Sequence, residues 1–145
     1  MNHILFFGLG FSARALARRL AERGWAVSAT SRSASGAEAI EARGYRGLVF
    51  DGSTPLPQQA FDGVTHVVNS APPGDDGDPV LRQHATDFAA RAKQLQWVAY
   101  LSTTGVYGDC GGAWVDENAP CLTTLGRSQA RRASGSATCR RARGL

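Results

Sequence analysis

The sequence predicts an α/β fold: a parallel sheet with helices on its faces, followed by a basic tail. Two observations carry this expectation. Short apolar runs of strand length alternate with segments of helical period, which is the pattern of successive β–α units. The first run, Ile4-Leu5-Phe6-Phe7, passes directly into a glycine-rich turn and then an amphipathic helix.

Taken in order, His3–Phe7 is the first strand. The helix after it spans Ser12 to Arg23, with Ala13, Leu16, Ala17 and Leu20 at i, i+3, i+4 and i+7. Arg14, Arg18, Arg19, Glu22 and Arg23 fall largely on the opposite face, and Gly24 ends the helix. Trp25–Thr30 is the second strand, Gly36–Arg43 a short helix ended by Gly44, and Gly47–Phe50 the third strand. Gly52–Pro57 is a loop, Thr65–Asn69 the fourth strand, and Ala71–Asp78 a polar turn. A helix follows from Pro79 to Gln94, with proline at its start, where its missing N–H costs nothing. Trp97–Ser102 is the fifth strand, and a glycine-rich loop runs from Gly105 to Pro120. Right-handed crossovers place these strands in one doubly wound, Rossmann-type sheet, whose ligands bind beyond the carboxyl ends of the strands.

Composition narrows the function classes. The chain has 145 residues, 43% of them hydrophobic, enough for one domain with a real core. It contains no run of about 18 apolar residues, so no membrane span is expected, and no signal peptide is read at its start. Three cysteines, Cys110, Cys121 and Cys139, lack metal-ligand spacing and suggest free thiols in a reducing, cytoplasmic setting. His3, His66 and His84 read as structural, with no second ligand at metal spacing.

The formal charge of +4 is unevenly placed. Up to residue 121, ten Lys and Arg stand against all 12 acids, giving −2; residues 122–145 carry six arginines and no acid, giving +6. The body therefore has no basic footprint for nucleic acid. The domain is expected to span 1–121, incomplete, and 122–145 to be a disordered tail, because a segment with so little apolar content cannot offset its ordering entropy. The tail's Ala, Arg, Gly, Ser and Thr resemble translation of a GC-rich gene in a shifted frame; a natural linker or a nucleic-acid-binding arm are the alternatives.

The turn Gly8-Leu9-Gly10-Phe11-Ser12-Ala13 has the GxGxxA spacing of a dinucleotide-binding fingerprint, in the required strand–turn–helix setting. Gly8 permits the tight turn, Gly10 lets a pyrophosphate approach the backbone, and Ala13 permits close helix–strand packing. The N–H groups of Phe11 and Ser12 and the helix dipole would face the phosphates. After the second strand stand Ser31 and Arg32, where a chain that prefers NAD usually places Asp or Glu for the ribose 2′-OH. An arginine suits a 2′-phosphate, so NADP is favoured and NAD is possible. Asp51 either accepts a hydrogen bond from the adenine amino group or belongs to a plain Asp-Gly turn.

The segment Ser102-Thr103-Thr104-Gly105-Val106-Tyr107-Gly108 resembles the S-[ST]-x-x-VYG signature of the extended short-chain dehydrogenase/reductases, the NAD(P)-dependent epimerase/dehydratase group. Asn69-Ser70-Ala71 after the fourth strand and Asp116-Glu117-Asn118-Ala119-Pro120 fit the same family, so the resemblance covers about residues 1 to 120. It implies a hydride-transferring oxidoreductase acting on a hydroxyl- or carbonyl-bearing small molecule. Asn69, Ser70 and Ala71 would line the cofactor, and Thr103 would fall on the catalytic Ser/Thr position. The family's Tyr-x-x-x-Lys acid/base pair is absent: no tyrosine follows Tyr107, and Lys93 is the only lysine. Family members also run to about twice this length. Two functions are therefore carried forward: the cofactor-binding portion of such an enzyme, catalytically silent as given, and a non-catalytic NADP-binding regulatory or redox-sensing module.

Overall fold

The computed structural model describes residues 1–74, 76–116 and 118–119. Two compact units are present, Met1–Pro72 with Pro79–Leu101, and Pro73–Asp78 with Ser102–Leu145. The first holds a five-stranded, wholly parallel sheet. Its strands are β1 (His3–Phe7), β2 (Ala26–Ser31), β3 (Arg46–Val49), β4 (His66–Asn69) and β5 (Trp97–Tyr100). Their order is β3-β2-β1-β4-β5. The helices are α1 (Phe11–Ala21), α2 (Ala34–Glu41) and α3 (Pro79–Ala90).

β1 is the central strand and is apolar on both faces, as a strand covered on both sides must be. Ile4 and Phe6 join Val27, Val68 and the α1 and α2 residues Ala13, Ala17 and Ile40 in one cluster. Leu5 and Phe7 join Phe50, Phe61, Val67 and the α3 residue Val80 in the other. Ala13 and Ala17 are fully buried, and their small side chains bring α1 close to the sheet. Thus the doubly wound sheet expected from the sequence is the fold found.

Several element ends move by a few residues. α2 begins at Ala34 because the Ser33 hydroxyl accepts the Gly36 N–H at 3.2 Å and caps the helix earlier. α3 ends at Ala90, before the expected Gln94. Gln94 instead turns its amide onto the carbonyl of Val64 at 2.8 Å. β5 stops at Tyr100. A one-turn helix, Gln58–Phe61, buries Ala60 and Phe61 in a stretch to which the sequence pattern assigned no element.

The second core contains a buried histidine. His84 sits among Phe7, Phe50, Phe61 and Phe88. Its Nε2 accepts the Leu56 N–H at 3.2 Å, and its Nδ1 lies 2.9 Å from the Asp87 carboxylate. Both ring nitrogens are thereby used, Nε2 in holding α3 to the loop before the one-turn helix and Nδ1 within α3, which is a structural role.

In the second unit, Gly74 and Gly77 exchange backbone hydrogen bonds, and Thr104–Tyr107 forms one helical turn. The expected tail from residue 122, with Cys121 and Cys139, lies outside the described residues; Cys110 is a free thiol. Among the described residues, no helix is long and apolar enough to cross a membrane, and no group of three metal-ligating side chains occurs.

Candidate cofactor site

β1 lies between β2 and β4, so the chain leaves the sheet centre in opposite directions on either side of β1. The carboxyl ends of β1 and β4 therefore border the topological switch point, where doubly wound sheets bind ligands. The turn Gly8–Ala13 stands at one side of this crevice and Asn69–Ala71 at the other.

Cross-strand hydrogen bonds fix the turn. The Gly8 N–H donates to the Thr30 hydroxyl on β2 at 2.9 Å. The Ser70 hydroxyl lies 2.9 Å from the Gly8 carbonyl and 3.1 Å from that of Phe7, sharing one hydrogen between them. Asn69 is buried, and its side-chain oxygen accepts the Ala71 N–H at 3.0 Å. Ser70 thus shapes the turn itself, a positioning role that its place after β4 did not disclose.

Gly8 and Gly10 have different reasons to be glycine. Gly8 has φ +83°, and a Cβ there would stand 3.1 Å from the Ser70 hydroxyl. Its identity is required by the fold. Gly10 has φ −72° and ψ −169°, which any residue adopts, and a Cβ there would meet no heavy atom within 4 Å. The fold makes no demand at Gly10, whereas a ligand backed against the turn would.

α1 starts immediately beyond. No side chain caps it, no acid lies in its first turn, and its first turn bond runs from the Arg14 N–H to the Gly10 carbonyl at 2.9 Å. The N–H groups of Phe11, Ser12 and Ala13 therefore precede the first closed turn, as an anion at a helix start requires. Ser12 and Phe11 are exposed, and Ala13 is buried against the sheet. The uncapped N–H groups of this helix start, with no acid in its first turn, have the chemistry that a phosphate requires.

At the end of β2, Ser31 is half-buried and its carbonyl accepts the Phe50 N–H at 2.8 Å, which brings the end of β3 alongside. A Cβ on Gly36 would fall 1.9 Å from the Ser31 hydroxyl, so α2 starts directly against this strand end. A cavity of about 190 Å³ opens here, lined among others by Thr30, Ser31, Gly36, Arg14 and Arg43. Arg32 is exposed and does not line it. Arg14 and Arg43 were not expected at the site.

Asp51 is exposed and closes a turn: its Oδ1 accepts the Ser53 hydroxyl at 2.6 Å and the Ser53 N–H at 2.8 Å. These bonds, the side-chain one foremost, hold its carboxyl below the usual range. This geometry accounts for the Asp-Gly pair as a turn. Thr103 belongs to the second unit, is exposed, and its carbonyl accepts the Val106 N–H at 3.2 Å.

The chain is similar to several solved structures. A conserved protein of unknown function from Silicibacter pomeroyi DSS matches at 45% identity with a TM-score of 0.78, over 94% of this chain and 48% of that one. UDP-N-acetylglucosamine 4-epimerase from Bacillus cereus matches at 19% identity with a TM-score of 0.58, over 92% and 50%. Yeast methylglyoxal/isovaleraldehyde reductase complexed with NADPH matches at 18% identity with a TM-score of 0.60, over 96% and 50%. The chain therefore spans about half the length of these structures. No family model and no curated protein matches it. The fold is the one shared with these epimerase and reductase structures, in keeping with the fold that the VYG-type segment pointed to.

Proposed function

We propose that this chain is the dinucleotide-binding portion of an epimerase/dehydratase-like oxidoreductase and that it takes NADP in preference to NAD. The observation that carries the reading is Gly10: glycine stands where the fold leaves open space, at an uncapped helix start beside the switch point of the sheet. Gly8, Gly10, Phe11, Ser12 and Ala13 would hold the pyrophosphate, and Asn69, Ser70 and Ala71 would border it from β4. The bound nicotinamide supplies hydride chemistry. Ser31 and Arg32 carry the NADP preference, since no acid lies between Glu22 and Glu38 to take a ribose 2′-OH. Asp51 keeps one carboxylate oxygen for the adenine amino group. The substrate is a hydroxyl- or carbonyl-bearing small molecule, whose oxygen the Thr103 hydroxyl would orient. The NADPH complex of the yeast reductase supports the cofactor class. Calorimetric titration of the protein with NADP and with NAD tests the reading; binding of neither refutes it.

The absence of a Tyr-x-x-x-Lys pair favours a second reading, a non-catalytic NADP-binding module. Lys93, the only lysine, follows α3, and an arginine cannot exchange a proton at working pH. General acid–base catalysis contributes about 10²–10⁴-fold. Purified protein is therefore expected to leave NADPH absorbance unchanged with simple carbonyls and nucleotide sugars. Turnover that disappears in Thr103→Ala would establish the enzyme reading instead.

A further inference from the structure

The cavity at the end of β2 has a composition that the dinucleotide reading does not by itself require. Arg14, from the second turn of α1, and Arg43, just beyond the end of α2, both line it. The same two arginines line a larger neighbouring groove of about 610 Å³, together with Arg18, Tyr45 and Phe11. The two hollows thus share a cationic wall. Among the described residues, no carboxylate lines either one. The remaining polar groups of the smaller cavity are the hydroxyls of Thr30 and Ser31, and the Thr30 oxygen already accepts the Gly8 N–H.

The two guanidinium groups are differently prepared. Arg43 donates from Nη1 to the Ala39 carbonyl in the last turn of α2, which anchors one edge and leaves its other donors available. The Arg14 guanidinium makes no hydrogen bond or ion pair among the described residues. One anchored and one uncommitted guanidinium beside serine and threonine hydroxyls suit a compact dianion that accepts several hydrogen bonds. They lack the carboxylate that ordinarily accepts from a ribose 2′-OH. The volume of the smaller hollow is too small for a base and sugar together but ample for a phosphate.

Resting on the dinucleotide reading, we infer that Arg14 and Arg43 form the clamp that recognises the 2′-phosphate, making them specificity-determining residues beyond Arg32. The pairing comes from the fold: the two residues stand 29 positions apart in sequence, and the adjacency of β1 and β2 brings their helices together.

The test is calorimetric titration of the full chain and of Arg14→Ala, Arg43→Ala and Arg14→Lys with NADP, NAD, 2′,5′-ADP and 5′-AMP. Each alanine variant should weaken NADP and 2′,5′-ADP by about tenfold or more, the loss of a charge-assisted hydrogen bond. NAD and 5′-AMP should bind each variant as they bind the parent, which also shows that the variants are folded. Arg14→Lys should recover part of the loss, because charge returns without the fork of donors. Equal NADP affinity in parent and both alanine variants overturns the clamp while leaving the dinucleotide site standing. Equal losses for NADP and NAD also overturn it, since the arginines would then act on the shared part of the ligand. A parent that binds none of the four probes refutes the dinucleotide reading, and the clamp falls with it.

Discussion

Gly10→Val separates what the fold needs from what a ligand needs. At this position the backbone is extended, and among the described residues no atom beyond its chain neighbours lies within 4 Å of an added Cβ. The fold should pay little. Glycine is a better helix N-cap than valine, and that difference is up to about 1 kcal/mol. In an ordered unit of this size, about 1 kcal/mol lowers Tm by roughly 4–8 °C. Binding should suffer more, because a branched side chain then fills the volume that a pyrophosphate would enter. Forcing extra methyl groups into a filled site costs about 1–3 kcal/mol, or roughly 5- to 150-fold in affinity. Gly8→Ala is the counterpart. There the left-handed backbone at φ +83° costs about 1–2 kcal/mol for a residue with a Cβ. The Ser70 hydroxyl, 3.1 Å from that Cβ, must also yield. Gly8→Ala should therefore lose the larger share of its stability. Thermal unfolding by circular dichroism and titration with NADP measure both quantities on each variant. Parental NADP affinity in folded Gly10→Val would remove the ground for placing a ligand at this turn.

Three further outcomes follow from particular contacts. Arg32→Ala should weaken NADP by about tenfold and leave NAD unchanged by titration; a parental protein that prefers NAD contradicts the assignment. His84→Phe keeps an aromatic ring in the cage but leaves the buried Leu56 N–H without its acceptor and removes the ring nitrogen beside Asp87, which keeps its contacts to Gln58 and Arg91. It should cost about 1–3 kcal/mol in urea unfolding, and parental stability would show that the two bonds contribute nothing. Burial lowers the pKa of His3, whose Nε2 lies 2.8 Å from the Ser28 hydroxyl on β2. The unfolded chain then binds a proton before the folded one does. This contribution to stability is intact above the unfolded histidine range near 6.5, and it declines as pH falls below it towards the lowered folded value. His66 is lowered by burial in the same direction. The urea midpoint should drop between pH 7 and pH 5, and more shallowly in His3→Gln; an identical drop in that variant would assign the effect elsewhere.

The parts of this molecule that were legible in the sequence are those set by local pattern. Ile4–Phe7 is apolar at every position, so it had to be a strand covered on both faces, and the glycine turn after it fixed the place of the site. The one-turn helix Gln58–Phe61 was not legible, because four residues are too few to display a helical period. The side-chain partners were hidden for a different reason. Period assigns a residue to a face but says nothing about which element lies opposite. Arg14 falls on the polar side of α1 by spacing, and only the neighbouring strands β1 and β2 make Arg43 its companion across a cavity. Thr30 reads as the end of a strand until the parallel register sets its hydroxyl against the Gly8 N–H. Ser70 reads as a cofactor contact by its place after β4. Its hydroxyl instead holds the carbonyls of Phe7 and Gly8, which keeps the turn in the shape that leaves Gly10 facing open space. The glycine that no protein contact demands is thus presented by a threonine on β2 and a serine just after β4. Loss of either hydroxyl should relax the turn before it touches any ligand directly.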